Sequence, residues 1–283
     1  TVDLAGVSID AKVNGIESYR GGITSLKAAK DSANVISADG IGILAYESGT
    51  VLIAKDGNST LTVKSGGYGV NVIDDGMVSG DATLAINSGN ASVYGGSGAG
   101  TVKAAVLSAD AASGGDIAGV LAENGGDLEI SADKVMVKAS TTGDNAKAYA
   151  INNTGSGAVT IDTGDAGVEL TAKAASGDAA AIGNSGKGSV TVKTSGQVSF
   201  DVTGLTAKGL YNTTSYGTGV TVDAAGGSNY AVTATSGDAY GIEASGDTTL
   251  AYGKVNNVTV SAAGGNAYGL AATNHGTLSG NGA

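Results

Sequence analysis

The chain contains no Cys, no Pro and no Trp, with one Phe and one His in 283 residues. Without Cys there are no disulfides and no thiolate metal sites, although this leaves the redox compartment open. An aromatic share of 4% excludes an interior built from rings. The apolar residues are Ala, Val, Ile and Leu, which suit many thin layers better than one thick core. Positive charge is also scarce: 15 Lys plus Arg against 26 Asp plus Glu give a formal net charge of −11. Such a field repels polyanions, so nucleic acid and anionic membrane surfaces are poor partners. No apolar run approaches the roughly 18 residues of a membrane-spanning helix. Thr1 stands where an initiator Met would, which reads as a removed leader or a cloning boundary.

What the chain has in abundance is Gly, 49 residues of it, and a repeated phrase. A four-residue phrase recurs ten times, with a small residue third and an aliphatic fourth: VNGI at 13–16, GIGI at 40–43, GYGV at 67–70, VYGG at 93–96 and IAGV at 117–120, then AYAI at 148–151, AAAI at 179–182, AKGL at 207–210, AYGI at 239–242 and AYGL at 267–270. Its mean spacing is about 28 residues, a period that signals a solenoid. Eight residues after the closing aliphatic comes a pair with period-two alternation, such as Leu128 and Ile130, or Val159 and Ile161. A third pair follows in most units, such as Val135 and Val137, or Val198 and Phe200. Each pair marks a strand with one buried face. The segments between are turn-formers, as in Asn124-Gly125-Gly126-Asp127.

The fold expected is all-β: a parallel β-helix filling residues 1–283, of about ten rungs with three short strands each. A lone rung would have nothing to cover its apolar face, so stacking must supply the stability. The phrase places positions two and four on one face of a flat strand, yet position two admits Asn14 and Lys208 while position four is aliphatic in nine of ten copies. The chain is therefore expected to kink at the small third residue, at Gly95 as at Gly69 and Gly241, with position two outside. The run Leu26–Lys30 has the composition for one local helical turn.

The AYGI, AYAI and AYGL phrases, followed by SG or NNTGSG and a TV or VTI strand, resemble the passenger regions of Gram-negative autotransporters, the adhesin type of type V secretion. The resemblance covers all ten units. It implies right-handedness, a cleaved signal peptide before the region and a translocating β-barrel after it, making this chain a passenger fragment. It also implies a location outside the cell, attached to the outer membrane in the full-length protein, and a role in adhesion, self-association or biofilm formation. The partners implied are a host surface glycan or matrix protein, or another copy of the chain.

Chemistry has little to work with. The GDSGS motif of serine-protease passengers is absent, and the SGD triplets at 79–81, 176–178, 236–238 and 245–247 read as corners. His275, in the turn Asn274-His275-Gly276, reads as a solvated residue, and Arg20 as the sole Arg weakens a comparison with pectate lyases. The Asp or Asn before the phrase (Asp39, Asp116, Asp178, Asp238, Asn266) reads as turn capping, and Asp74-Asp75 as a solvated loop, not a calcium cage. The Gly-rich string 95–100 lacks a following helix to hold a phosphate. No enzyme, cofactor or metal is expected. Thr160, Thr191 and Thr221 read as an outward structural ladder in one column with Leu52, Ser79, Glu129 and Ala251. Tyr is the informative aromatic, 11 residues against one Phe, as exposed or rim positions would produce. Tyr68 with Tyr94, and Tyr240 with Tyr268, are expected in one column of adjacent rungs, as stiffening stacks or as a contact surface for sugar rings or a neighbouring rod. The functional expectation is a non-enzymatic adhesive or self-associating rod. The alternatives are a stalk or coat component carrying another domain, and a polysaccharide lyase or hydrolase.

Overall fold

The computed structural model describes residues 2–3, 8–30, 34–213 and 219–280. All regular structure in these residues is β, and every strand pairing is parallel. Each phrase forms one strand, among them Ile41–Tyr46, Ala148–Asn153, Ala179–Asn184 and Ala239–Ser245, and the ten phrase strands line up in chain order as one ten-stranded sheet. The other two strands of each turn join in a nineteen-stranded sheet. The chain is thus a β-solenoid of about nine turns. At about 4.8 Å between parallel strands the stack is roughly 45 Å long.

The interior is the aliphatic filling that the composition requires. Ile43, Val70, Val93, Val120, Ile151, Ile182, Leu210 and Ile242 succeed one another at full burial and pair in register. They are faced by Leu61, Val63, Ile130, Val159, Ile161, Val190 and Val192 from the larger sheet. Full burial of a Val, Leu or Ile side chain stabilises by about 1.5–3 kcal/mol. Dozens of such residues offset the ordering of many short strands.

The kink at the phrase is a bulge inside a continuous strand. Successive N–H groups of a flat strand point to opposite neighbours. Here Gly42 N and Ile43 N both donate to the same neighbouring rung, to the carbonyls of Tyr68 and Gly69, each at 2.9 Å. The register accordingly skips the third phrase position, pairing Asn14 with Ile41 and Ile16 with Ile43 but not Gly15 with Gly42. Third and fourth residues both face inward and the second faces out. Gly is favoured there for space: a Cβ on Gly69 would run into Ile86 Cγ2 and stand 2.7 Å from the Ser92 carbonyl oxygen. The φ of these phrase glycines is not positive, so left-handed freedom is not what selects them.

Four expectations need correction. Val93, not Gly96, is the fourth residue of its rung, because Val93 pairs with Val70 and Val120. Ser92 therefore fills the third column in place of Gly95, buried and hydrogen-bonded to Ser88 Oγ at 3.0 Å. The run Leu26–Lys30 makes no helical turn; Ile23–Ala28 is a strand pairing with Thr50–Lys55, since cross-rung hydrogen bonds outweigh a few tenths of a kcal/mol of helix propensity. Tyr is not confined to the rim: Tyr230 is 1% exposed and stacks on Phe200 in the core, ring centroids 4.4 Å apart. Lastly, Thr160, Thr191 and Thr221 do pair on consecutive rungs, between Glu129 and Ala251, but Leu52 and Ser79 lie outside that column, opposite Lys103.

Candidate contact surface on the phrase sheet

In eight of the ten rungs the segment after the phrase strand follows one of two patterns, which decide how the outer face is held. In five rungs it is a two-residue turn closed by Gly: Arg20-Gly21, Glu47-Ser48, Asp74-Asp75, Asn124-Gly125 and Asn274-His275 all have positive φ. The following Gly donates to the residue before the turn at 2.9–3.0 Å, as in Gly49 N to Tyr46 O and Gly126 N to Glu123 O. Positive φ at both central residues is the geometry of type I′ turns, which explains Asp74-Asp75 without a ligand. Gly closes the turn because a Cβ on Gly76 would meet the Ala45 carbonyl of the neighbouring rung. This Gly comes six residues after the phrase aliphatic, at 22, 49, 76, 126 and 276, a periodicity in the sequence that the phrase alone did not disclose.

After the strands Ala148–Asn153, Ala179–Asn184 and Ala207–Asn212 an Asn ladder runs instead. Asn153, Asn184 and Asn212 are fully buried and stacked in register. Asn153 Nδ2 donates to Gly157 O at 2.9 Å and Ser189 O at 3.1 Å. Asn184 Nδ2 donates to Gly188 O at 3.0 Å and Asn212 Oδ1 at 3.1 Å. Asn212 Nδ2 in turn donates to Thr248 Oγ1. Asn153 and Asn184 each close their own corner four residues on, and all three amides tie to the next rung.

The outward residues are the second and fifth of each phrase strand, one on each side of the bulge. Tyr240 and Tyr268 pair in register and stack, centroids 5.0 Å apart and planes 14° apart. Tyr68 and Tyr94 also meet, at 4.4 Å with planes 32° apart, but not as one column. Tyr94 occupies the fifth column, opposite Asn71 and Leu121, so the contact runs diagonally across the bulge and the rings tilt. Tyr149 leans the same way, its ring over Gly183 of the next rung, where a Cβ would stand 2.8 Å from Cδ1. Lys208 lies 3.5 Å from the centre of the Tyr211 ring and forms an ion pair with Glu243 at 2.9 Å; it is half-buried, not the freely solvated residue that its column suggested. A register-matched stack also forms between Tyr19 and Tyr46, centroids 5.5 Å apart. Their separation of 27 residues equals the repeat length, so spacing could have found them.

Acidic groups surround these rings. Burial holds Tyr149 protonated well above the usual phenol range, to about 12, helped by the charges of Asp178 and Asp116. Burial also raises Tyr240 to about 12, with a hydrogen bond to Asp238 at 3.1 Å. Tyr68 and Tyr94 shift up through burial and the nearby Glu123 charge. The face therefore presents neutral phenol O–H groups beside carboxylates. Of the Asp residues before the phrase, two cap turns across rungs, Asp116 Oδ1 accepting from Lys147 N at 2.8 Å and Asp238 Oδ1 from Asn266 N at 2.7 Å, while Asp39 pairs with Lys12. His275 is an exposed corner residue 3.3 Å from Asp247. Among the described residues no group of three or more His, Asp or Glu is placed to hold a metal.

Compared with known proteins, the chain matches no family model, no curated relative and no solved structure.

Proposed function

We propose that the chain is a non-enzymatic adhesive rod of the cell surface, the passenger of an autotransporter, binding host surface glycan, matrix protein or an identical rod. One observation supports this above the rest. The solenoid places its outward columns at one-rung spacing, so a ligand that is itself repetitive meets side chains, several of them Tyr, at regular intervals. Weak contacts summed along such an array yield avidity that no single contact has. The acidic surface makes lateral contact between rods dependent on salt or divalent ions, which screen like charge. The rod as a stalk holding another domain away from the membrane is the second reading, favoured by the Asn ladder and aromatic stacks that stiffen consecutive rungs. Display of the chain on beads separates the two. Aggregation of beads, or attachment to epithelial cells, that falls at least tenfold in the Tyr240→Ala, Tyr268→Ala double variant supports the adhesive reading; beads that neither aggregate nor attach, with or without added calcium, refute it.

A further inference from the structure

The phrase sheet carries a groove one rung wide. Tyr68, leaning on Tyr94, and Asn90 form one wall; Tyr149 and Asn152, two rungs from Tyr94, form the other. Between them the rung of Ala118 and Leu121 carries small or low-lying side chains and makes an apolar floor. Asp116 and Glu123 stand at its two ends. Its volume is about 310 Å³, within the range of roughly 300–1,000 Å³ of small-molecule sites. A larger hollow of about 460 Å³ runs along the corner lined by Asp39, Lys64 and Asn87, but no ring lines it.

The chemistry of the groove is selective. Two aromatic walls and an aliphatic floor offer C–H contact to a flat, saturated ring, while carboxylates and primary amides at its rim accept and donate hydrogen bonds to several hydroxyls at once. Asp116 keeps one oxygen on Lys147 N and is exposed, as is Asn90. Asp116, Glu123 and, beyond Tyr149, Asp178 give the site a negative potential on a chain of net charge −11, which repels sialic and uronic acids. We propose that this groove binds an uncharged hexose unit of a glycan, stacked on Tyr149 or on the Tyr68–Tyr94 pair, with Asp116, Glu123, Asn90 and Asn152 reading its hydroxyls. The proposal rests on the reading of the phrase sheet as a contact surface and names the ligand class for one part of it.

Saturation-transfer NMR on the full chain with lactose, maltotriose, mannotriose and chitotriose, and with trigalacturonate as the anionic counterpart, tests it. At least one neutral sugar is expected to receive saturation and trigalacturonate none. Tyr149→Ala should weaken binding at least tenfold. Leu121→Arg fills the groove from a half-exposed floor position, so it should do the same without depending on loss of a wall, while Thr191→Ala, in the outward column of the larger sheet, leaves binding unchanged. No signal from any neutral sugar, equal signal from trigalacturonate, or retained binding in Leu121→Arg with unchanged circular dichroism overturns the proposal. Rods that attach to cells yet bind none of the sugars retire the groove and leave the adhesive rod standing; sugar binding by rods that attach to nothing does the reverse.

Discussion

Replacing Asn184 by Ala removes the middle of the buried amide ladder and leaves its neighbours in place. The side chain is fully buried, and its Nδ2 serves Gly188 O within the corner and Asn212 Oδ1 on the next rung. Loss of the donor leaves one carbonyl and one amide oxygen short of a partner in a site that water reaches poorly. Each such group costs about 1–3 kcal/mol, so the substitution should destabilise by about 2–6 kcal/mol. At roughly 2 °C per kcal/mol for a chain of this size, the melting temperature falls by about 4–12 °C. Ser185→Ala, one residue on and exposed, is the control and should shift it by less than 1 °C. Differential scanning calorimetry gives the magnitude. Amide hydrogen exchange gives the location: because each rung contacts only its neighbours, protection should drop in the corner at 184–188 and around Asn212 and stay unchanged at the Tyr19–Tyr46 stack. Equal melting temperatures for Asn184→Ala and Ser185→Ala, or a loss of protection spread evenly along the rod, would refute the ladder as the clamp of these corners.

Gly69→Val should destabilise by more than 3 kcal/mol, because its side chain has to enter the space of Ile86 beside the Ser92 carbonyl. Ala150→Gly, in the same column, should cost no more than about 1 kcal/mol of backbone entropy; urea melts of the two variants check the contrast. On the alkaline side, Tyr149 is raised in the folded state to about 12 from about 10 unfolded. Below about 10 both states keep the phenolic proton and its contribution is complete; between about 10 and 12 the unfolded chain loses the proton first, so stability falls as pH rises. Tyr149→Phe should flatten that decline, as seen in urea midpoints measured across the window, and an unchanged slope would show that the phenol does not sense its burial.

The architecture was legible because its cause is periodic. An aliphatic every 28 residues or so, with period-two pairs between, can bury its apolar face only by stacking, and the parallel register follows. The contradiction inside the phrase, a tolerated Lys208 two residues before a buried Leu210, was enough to predict a local break in the strand. Legibility failed where the evidence was a single copy. VYGG at 93–96 is the one copy that ends in Gly, and the chain between Val70 and Val93 is four residues shorter than the 27-residue steps on either side. Only the hydrogen-bond register decides between Val93 and Gly96 as the inward residue. Tyr230 was misplaced for a related reason: residue type suggested a rim, but its column is that of Phe200 and Val258, and the interior there accommodates a stacked pair. The Asn ladder gave no compositional signal, since Asn at a corner is ordinary and its full burial depends on rungs 28 and 31 residues away.

The short step also makes the groove. With the 26-residue spacing that the phrase suggested, Tyr94 would sit directly above Tyr68 in the second column and the two rings would stack flat, as Tyr240 and Tyr268 do. The actual step moves Tyr94 to the fifth column, on the far side of the bulge, and puts Ala91 in the second. Tyr68 then crosses the bulge diagonally to reach Tyr94, and the small, covered column of Ala91 and Ala118 lies low beside them, leaving room above it up to Tyr149. A deletion within a turn thus changes which outward residues meet without disturbing the inward column, because rung length is taken up at the corners while the aliphatic register is held by the core. Variation in turn length between rungs is therefore a means of placing distinct surface sites on an otherwise uniform rod. Placing Tyr at position 118 tests this directly: Ala118 is covered beneath the groove, so the ring of Ala118→Tyr has to rise into the groove and should abolish neutral-sugar binding, and a variant of unchanged circular dichroism that still binds the sugars would refute the idea.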